Sequence, residues 1–282
     1  NSMLTVRNES IEEYYLNRDY LCLNDLKLFL KSPRVYFYSQ SKDEFKTLEK
    51  KENKFEYALN LFLFDRTDFN NLFSVSPKFD KRTKQGKLDY SNFISQNYGK
   101  LIIDEAEFEA IKNIHNSLMT TETFNSQLEN NEMQSNISCY VLDETTGLKF
   151  KFRCSFYSEK SNFASNIILC LSSSIDDLKY LFSKNNIDFE ASIICQVLGV
   201  KKLTFLCCET TAPYQSSFVQ LKSTVIAKCK TDYRMVMDLL KWSIDNNFWC
   251  NYTQFEVLKS CYKSNKMEDA MSKLENEILT LK

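Results

Sequence analysis

The chain has 282 residues, a net charge of −1 at pH 7, 43% hydrophobic residues and 14% aromatic residues. A chain of this length and apolar content can bury a substantial core, which excludes a largely disordered protein. A net charge near zero argues against a wholesale polyanion binder, although a local basic patch is still compatible with it.

The cysteines and the single histidine narrow the chemistry further. The ten cysteines are scattered, mostly within apolar runs, and no two are spaced as C-x-x-C. We therefore expect reduced core thiols in a cytoplasmic protein, without a structural zinc site and without a membrane span. Any Ser-His or Cys-His triad would have to use His115. This residue lies on an apolar-periodic helix that Asp104 and Glu107 can begin with a capping box, so a place beside the core is the better interpretation.

Helical patterns dominate the first part of the chain. Asn24 is expected to cap a helix that ends at Ser32-Pro33, and residues 35–38 follow as a short aromatic helix or turn. Residues 42–53 have the mixed charges of a solvated helix face. A strongly apolar helix comes next and carries Asn60 within it.

Residues 77–87, here called the basic segment, contain five cations and one acid. Clustered Lys and Arg side chains suit the phosphates of a nucleic-acid backbone. Gly86 can adopt a positive φ, which would make the segment flexible. The candidate DNA contacts here are Lys81, Arg82, Lys84 and Lys87. An ordinary solvated loop is the alternative.

Strand patterns begin at Ser138. Residues 139–142 and 148–156 flank a five-residue hairpin loop that ends at Gly147. Leu148, Phe150, Phe152, Cys154 and Phe156 alternate with polar residues, which places these five apolar side chains on one face of a strand. On the other face, Lys149, Lys151 and Arg153 could contact DNA or simply be solvated.

The remaining elements follow at short intervals. In order, they are a buried strand at 166–171, a helix capped by Ser174 and Asp177, a helix at about 188–198 ending at Gly199, a strand at 203–208, a turn at Pro213-Tyr214, a strand at 217–221 and a long helix from about 226 to 244. A heptad pattern closes the chain at Met267, Met271, Leu274, Ile278 and Leu281. We expect a single α/β domain over 3–262 with a central mixed sheet. An amphipathic helix over 263–282 would pack on that domain or at an oligomer contact.

The basic segment, followed by residues 100–105, resembles the nuclease domain of the exodeoxyribonuclease VIII (RecE-type) family. The resemblance extends over roughly residues 14–252 and includes the helix ending at Ser32-Pro33, the hairpin with its paired strands, Pro213-Tyr214, and the long helix near Trp249. It implies a PD-(D/E)xK fold, with a mixed sheet flanked by helices. It also implies 5′–3′ DNA exonuclease activity that depends on Mg²⁺ bound by carboxylates of two central strands.

In this chain, the family's site residues map to positions that lack the required chemistry. The two metal-binding Asp map to Ser155 and Cys170, and the Lys that follows maps to Ser172. The family's His maps to Asn60, and its Gln maps to Glu190. A hydroxyl and a thiol cannot supply the charge that Mg²⁺ needs, so we expect no metal and no cofactor. The nearest acids are Glu159, in a polar connection, and Asp176 and Asp177, in a helix cap.

Three functions remain open from the sequence. The first is a catalytically inactive nuclease-fold protein that binds DNA or a protein partner in phage-type recombination or DNA processing. The second is an active Mg²⁺-dependent exonuclease with relocated metal ligands. The third is a protein-interaction scaffold, including one that assembles into a homo-oligomer.

Overall fold

The computed structural model describes residues 2–41, 51–129 and 133–275. The N-terminal elements are β1 (Ser2–Arg7), α1 (Ile11–Leu16), β2 (Leu21–Cys22), α2 (Leu23–Lys31), α3 (Pro33–Ser41), α4 (Lys51–Phe64), α5 (Arg66–Leu72), β3 (Phe73–Ser76), α6 (Lys84–Gln96), β4 (Leu101–Asp104), α7 (Glu105–Met119) and α8 (Glu122–Leu128). The expected helix over 42–53 falls almost entirely outside the described residues.

The C-terminal elements supply most of the sheet. They are β5 (Gln134–Asp143), β6 (Lys149–Ser158), β7 (Phe163–Cys170), α9 (Ile175–Lys184), α10 (Ile187–Leu198), β8 (Lys202–Glu209), β9 (Ser216–Gln220), α11 (Ser223–Asn246), α12 (Tyr252–Lys263), a 3-10 turn (Met267–Asp269) and α13 (Ala270–Glu275). Ala270 and Leu274 are buried against the domain. Ile278 and Leu281, which complete the expected heptad pattern, lie outside the described residues.

A mixed sheet forms the centre of the described structure, with strand order β1-β5-β6-β7-β8-β9 and with β2 beside β6. The β7–β8 and β2–β6 pairs are parallel, and the other pairs of this sheet are antiparallel. A separate two-stranded parallel sheet joins β3 to β4. The expectation of an α/β fold with a central mixed sheet is therefore confirmed.

The sheet separates between β6 and β7. These two strands pair only where residues 156–158 meet residues 163–165, whereas β7 stays paired with β8 along its whole length. Beyond Ser165, the edge of β7 that faces β6 has no strand partner among the described residues. This separation creates the space in which the candidate site lies.

Two apolar clusters cover opposite faces of the sheet. Successive β8 residues alternate between them, with Phe205 and Cys207 in the larger cluster and Leu206 and Cys208 in the smaller. This alternation is what a strand buried on both faces requires. All ten cysteines are free thiols, and all but Cys22 are buried. Within the described ranges, we find no helix with the length and apolarity needed to cross a bilayer.

Local capping signals predicted several element boundaries correctly. Ser174 accepts a hydrogen bond from the Asp177 backbone N–H at the start of α9. Asp104 and Glu107 form the expected capping box at the start of α7. Gly199 ends α10 with φ 66°. These signals succeed because they depend on neighbours within a few residues.

Two expectations about helix starts are wrong. Asn24 is not the N-cap of α2, since the helix starts at Leu23 and the Asp25 carboxylate accepts a hydrogen bond from the Cys22 N–H (2.7 Å). Gly86 does not have a positive φ. It lies in the first turn of α6, where Thr83 caps the helix, and a Cβ at this position would lie 2.0 Å from the Asp80 carbonyl oxygen. Close backbone approach, not chain reversal, is the reason that glycine fits here.

The polar face expected along β6 is not an open surface. Lys151 is 2% exposed, and its ammonium donates to the backbone carbonyls of Tyr14 and Asn17 because the N-terminal segment covers this face.

The apolar face of β6 does not pack against one cluster along its whole length. Phe150, Phe152 and Cys154 pack in the larger cluster, but Phe156 packs in the smaller one. Asn136 and Ser155 are not paired with each other, although the β5–β6 pairing continues on both sides of them. Asn136 has a positive φ of 54°.

Candidate functional site

A cavity of about 210 Å³ lies where β6 and β7 separate. We call it the site cavity. Its walls come from α1, α4, β5, β6, β7 and α10, so they bring together residues that are far apart in the sequence. The polar residues that line it are Glu56, Asn60, Asn136, Arg153, Ser155, Asn166 and Glu190, and the rings of Tyr14, Tyr15 and Tyr57 add an aromatic wall.

Ser155 and Asn166 hold the two strands together at the point of separation. The Ser155 backbone N–H donates to Asn166 Oδ1 (2.9 Å), and the Ile167 backbone N–H donates to Ser155 Oγ (3.4 Å). A hydroxyl and an amide therefore stand side by side on the two central strands. Both groups are neutral, so neither strand places a negative charge at this point.

Two carboxylates from helices enter the same cavity. Glu190 of α10 forms an ion pair with Lys27 of α2, and both side chains are mostly buried. Glu56 of α4 reaches solvent within the cavity. The side chains around its carboxyl group partly desolvate it, and together with the nearby Glu190 charge this raises its pKa to about 7 even though Lys27 opposes the shift. Glu56 thus takes up a proton more readily than an ordinary glutamate.

Asn60, to which the sequence resemblance assigns the family's His, lies in the wall of the site cavity and is 8% exposed. Its side-chain N–H donates to the Glu56 carbonyl (3.0 Å), one helical turn earlier. Its amide oxygen has no hydrogen-bond partner among the described residues. Glu56 and Asn60 therefore lie on one face of α4, and that face is directed at the strand separation.

Three of the five family positions named from the sequence converge here, and two do not. Asn60, Ser155 and Glu190 line the site cavity. Cys170 lies at the other end of β7, about 13 Å along the strand from Asn166 at ~3.3 Å per residue. Burial raises its pKa to about 11, which keeps it a thiol. Ser172 follows the strand, and its hydroxyl accepts a hydrogen bond from the Ser174 N–H (3.2 Å). The β7 residue beside Ser155 is Asn166, and Cys170 and Ser172 do not line the site cavity.

The three cations proposed on β6 have different environments. Lys151 is buried, as described above, so its ammonium cannot reach a phosphate. Arg153 lines the site cavity and donates to Ser138 Oγ (3.0 Å) and to the Asn136 carbonyl (2.8 Å). Lys149 is exposed. It lies six residues before Ser155, about 20 Å along the strand.

The basic segment is exposed, and four of its five cations are the predicted DNA contacts. Lys81 lies over the ring of Tyr90 (3.4 Å to the centroid), and Arg82 donates to the Asp80 carboxylate (3.1 Å). Lys84 and Lys87 lie in the first turn of α6. The segment follows β3, whose last residue, Ser76, pairs with Asp104 at the end of β4. Since Asp104 also caps α7, the cations begin beside the N-terminal end of that helix.

The donor set does not match a magnesium site of the implied family. Mg²⁺ is bound through carboxylates and water at near-octahedral geometry. Here the two strands offer a hydroxyl and an amide, and the Glu190 carboxylate is paired with Lys27. Within the described ranges, no three His, Cys, Asp or Glu side chains are grouped to hold a metal ion. We therefore derive no metal-dependent step for this site.

Sequence reasoning missed Glu56 and Asn166. Glu56 precedes Asn60 by four residues, which is the spacing of neighbours on one helix face, so the helical pattern contained a usable signal. Asn166 could not be found in this way. Its place beside Ser155 depends on a β6–β7 register that ends at Ser165, and the sequence does not specify that length.

No protein-family model matches this sequence, and a search of curated proteins gives no match. Among solved structures, the crystal structure of a "Putative exonuclease" from Eubacterium rectale superposes with a TM-score of 0.56 and 12% identity, covering 98% of this chain and 96% of that one. The fold is exonuclease-like. A phage related exonuclease from Haemophilus somnus 129PT superposes with a TM-score of 0.33 and 10% identity, covering 80% of this chain and 96% of that one. A TM-score this low does not support the fold assignment. At such identities the likeness concerns the exonuclease-like fold alone.

Proposed function

We propose that this protein uses an exonuclease-like fold to bind DNA without hydrolysing it, in phage-type recombination or a related DNA transaction. The observation that supports the absence of hydrolysis is the pair Ser155 and Asn166. These two residues occupy the centre of the sheet separation with neutral side chains that hydrogen bond to the neighbouring strand. Without carboxylates there, the site lacks the charge needed to hold Mg²⁺ against a phosphate.

The exposed basic segment supports DNA binding. Lys81, Lys84 and Lys87 are directed to solvent, and Arg82 keeps a 93% exposed side chain beside Asp80. Phosphate contacts of this kind give affinity and orientation without sequence preference. DNA binding should therefore be electrostatic and salt-dependent, in a protein whose overall charge is close to neutral.

Fluorescence anisotropy with a labelled 20-base-pair duplex tests the binding. The double variant Lys84→Glu/Lys87→Glu should bind more weakly. The slope of log K against log[salt] should become less negative by about 2, since each lost phosphate contact contributes ~0.9 to the slope. Lys228→Glu/Lys230→Glu, two exposed lysines of α11, is the charge-matched control and should bind as the wild type does. No affinity for duplex or single-stranded DNA at low salt would refute DNA binding.

A degradation assay tests the absence of hydrolysis. Linear duplex DNA incubated with the protein and Mg²⁺ or Mn²⁺ should remain intact, and calorimetry should detect no metal binding. One observation favours the competing hypothesis of relocated ligands, because Glu56 and Glu190 share the site cavity. Metal-dependent degradation that Glu56→Gln abolishes would establish that activity and refute the proposal.

A further inference from the structure

A groove of about 810 Å³ runs along the open edge of β7. We call it the edge groove. It shares Glu56, Ile167 and Glu190 with the site cavity and continues from it towards the end of the strand. Its volume is within the ~300–1,000 Å³ typical of ligand pockets. The chemical groups that line the edge groove differ from those that line the site cavity.

The edge groove is lined by the last four residues of β7, 167–170, and by Leu171, which follows the strand. Ile167 and Leu169 pack in the smaller apolar cluster, whereas Ile168 and Cys170 pack with the larger one. Side chains of a strand alternate between opposite faces. Consecutive residues can therefore line one groove only if the groove faces the edge of the strand. Here it is the edge of β7 that is not paired with β6 beyond Ser165.

The backbone of this edge has hydrogen-bonding groups to offer. The Ile167 N–H points to the β6 side, where it donates to Ser155 Oγ (3.4 Å), and the Cys170 carbonyl points to the β8 side, where it accepts from the Thr210 N–H (3.0 Å). Backbone groups of consecutive residues point to opposite edges of a strand, so those of alternate residues point to the same edge. The N–H and C=O of Leu169 and the C=O of Ile167 are therefore directed into the groove.

The remaining walls are apolar and acidic. Phe55, Ala106, Ala110, Leu181 and Ile187 supply the apolar part. Glu56, Asp104, Glu107 and Glu190 supply carboxylates, and no lysine, arginine or histidine is among the described residues that line the groove. Leu171 lies at its end with 81% of its surface exposed. A DNA strand would bring phosphates against these carboxylates, so the charge disfavours it.

We propose that the edge groove binds an extended, basic segment of a protein partner, which adds as a strand beside residues 167–171. Main-chain hydrogen bonds to Ile167 and Leu169 would supply affinity, as in other cases of strand addition. The apolar walls accept alternate side chains, and carboxylates of the groove, Glu56 among them, accept the lysine or arginine side chains between them. This inference is independent of DNA binding through the basic segment.

The test uses the full chain and fluorescein-labelled heptapeptides. A peptide of alternating lysine and valine should bind, and its glutamate–valine counterpart should not. A lysine–valine peptide with N-methyl groups at alternate positions, which cannot donate main-chain hydrogen bonds on one edge, should bind at least tenfold more weakly. Equal binding of the methylated peptide would refute strand addition.

Variants locate the binding. Glu56→Lys should weaken the lysine–valine peptide at least tenfold, whereas Glu144→Lys, in the exposed hairpin loop, should leave it unchanged; circular dichroism confirms that both variants fold. No effect of Glu56→Lys would place the peptide elsewhere and refute the proposal. Displacement of the peptide by single-stranded DNA, or by self-association seen in light scattering, would assign the groove to DNA or to a second copy and would also refute it.

Discussion

Replacing Arg234 with Met should destabilise the protein by about 3 kcal/mol. Arg234 of α11 donates to both carboxylate oxygens of Asp143, at 2.8 Å and 2.9 Å, and so ties the β5–β6 hairpin to the long helix. Asp143 is almost completely buried, and Thr146 supplies its other hydrogen bonds. Removing one partner of a buried ion pair costs ~3–5 kcal/mol, and the partial exposure of Arg234 favours the lower end.

Urea unfolding followed by circular dichroism measures this loss. Lys241→Met is the matched control on the same helix, since its partner Asp245 is exposed and surface pairs contribute only ~0–1 kcal/mol. Asp143→Asn in the Arg234→Met background should recover part of the stability, because no buried charge is then left unpaired. A loss below about 1 kcal/mol, equal to that of the control, would refute the reasoning.

The pH dependence of the same variant has a defined sign. Burial alone would raise the pKa of Asp143, but hydrogen bonds from Arg234 and Thr146 hold it below its usual value. In the wild type, this stabilisation is present above the unfolded-state pKa and is lost as pH falls through the folded-state pKa. Without Arg234, burial dominates and the carboxyl takes up a proton more readily. The difference between wild type and variant should therefore be smaller at pH 4 than at pH 8.

Two further changes test the candidate site and the segment next to it. Gly86→Ala should destabilise by about 1–3 kcal/mol in urea unfolding, because the new Cβ meets the Asp80 carbonyl, and the helical preference of Ala offsets only ~1 kcal/mol. Lys87→Ala, which is exposed, is its control, and an unchanged Gly86→Ala protein would contradict the contact. Glu56→Gln should raise the melting temperature at pH 8 but not at pH 4.5: the folded-state pKa of Glu56, near 7 beside Glu190 and Lys27, lies above its ordinary value, so wild-type stability falls as pH rises between the two. A difference that does not vary with pH would count against this account.

Short-range patterns predicted much of the fold. The hairpin loop at Asp143–Gly147, the Ser174 cap and the Gly199 C-cap depend on interactions within a few residues, and each is found where the sequence places it. The alternation along β6 located the strand correctly. It could not predict what covers each face, since the segment that buries Lys151 comes from residues 14–17, more than 130 positions earlier.

The candidate site was predictable only in part, for a related reason. Asn60, Ser155 and Glu190 come from three elements, and matching the order of elements was enough to bring them together. Cys170 lies away from them because β6 and β7 pair over only three residues of each strand, and that short register is not visible in the sequence. A sequence gives the length of each strand more readily than the number of residues over which two strands pair.

The separation of β6 from β7 accounts for both the site cavity and the edge groove. Two carboxylates facing each other where the strands part would repel unless a cation lay between them. Ser155 and Asn166 instead bridge the strands with neutral hydrogen bonds, so the open sheet needs no metal to stay open. Among the described residues, the edge of β7 beyond Ser165 has no strand partner, and the carboxylates that line the groove beside it come from α4, β4, α7 and α10. The acidic edge groove and the exposed basic segment are thus two separate surfaces, and their charges suit a cationic chain and a phosphate backbone respectively.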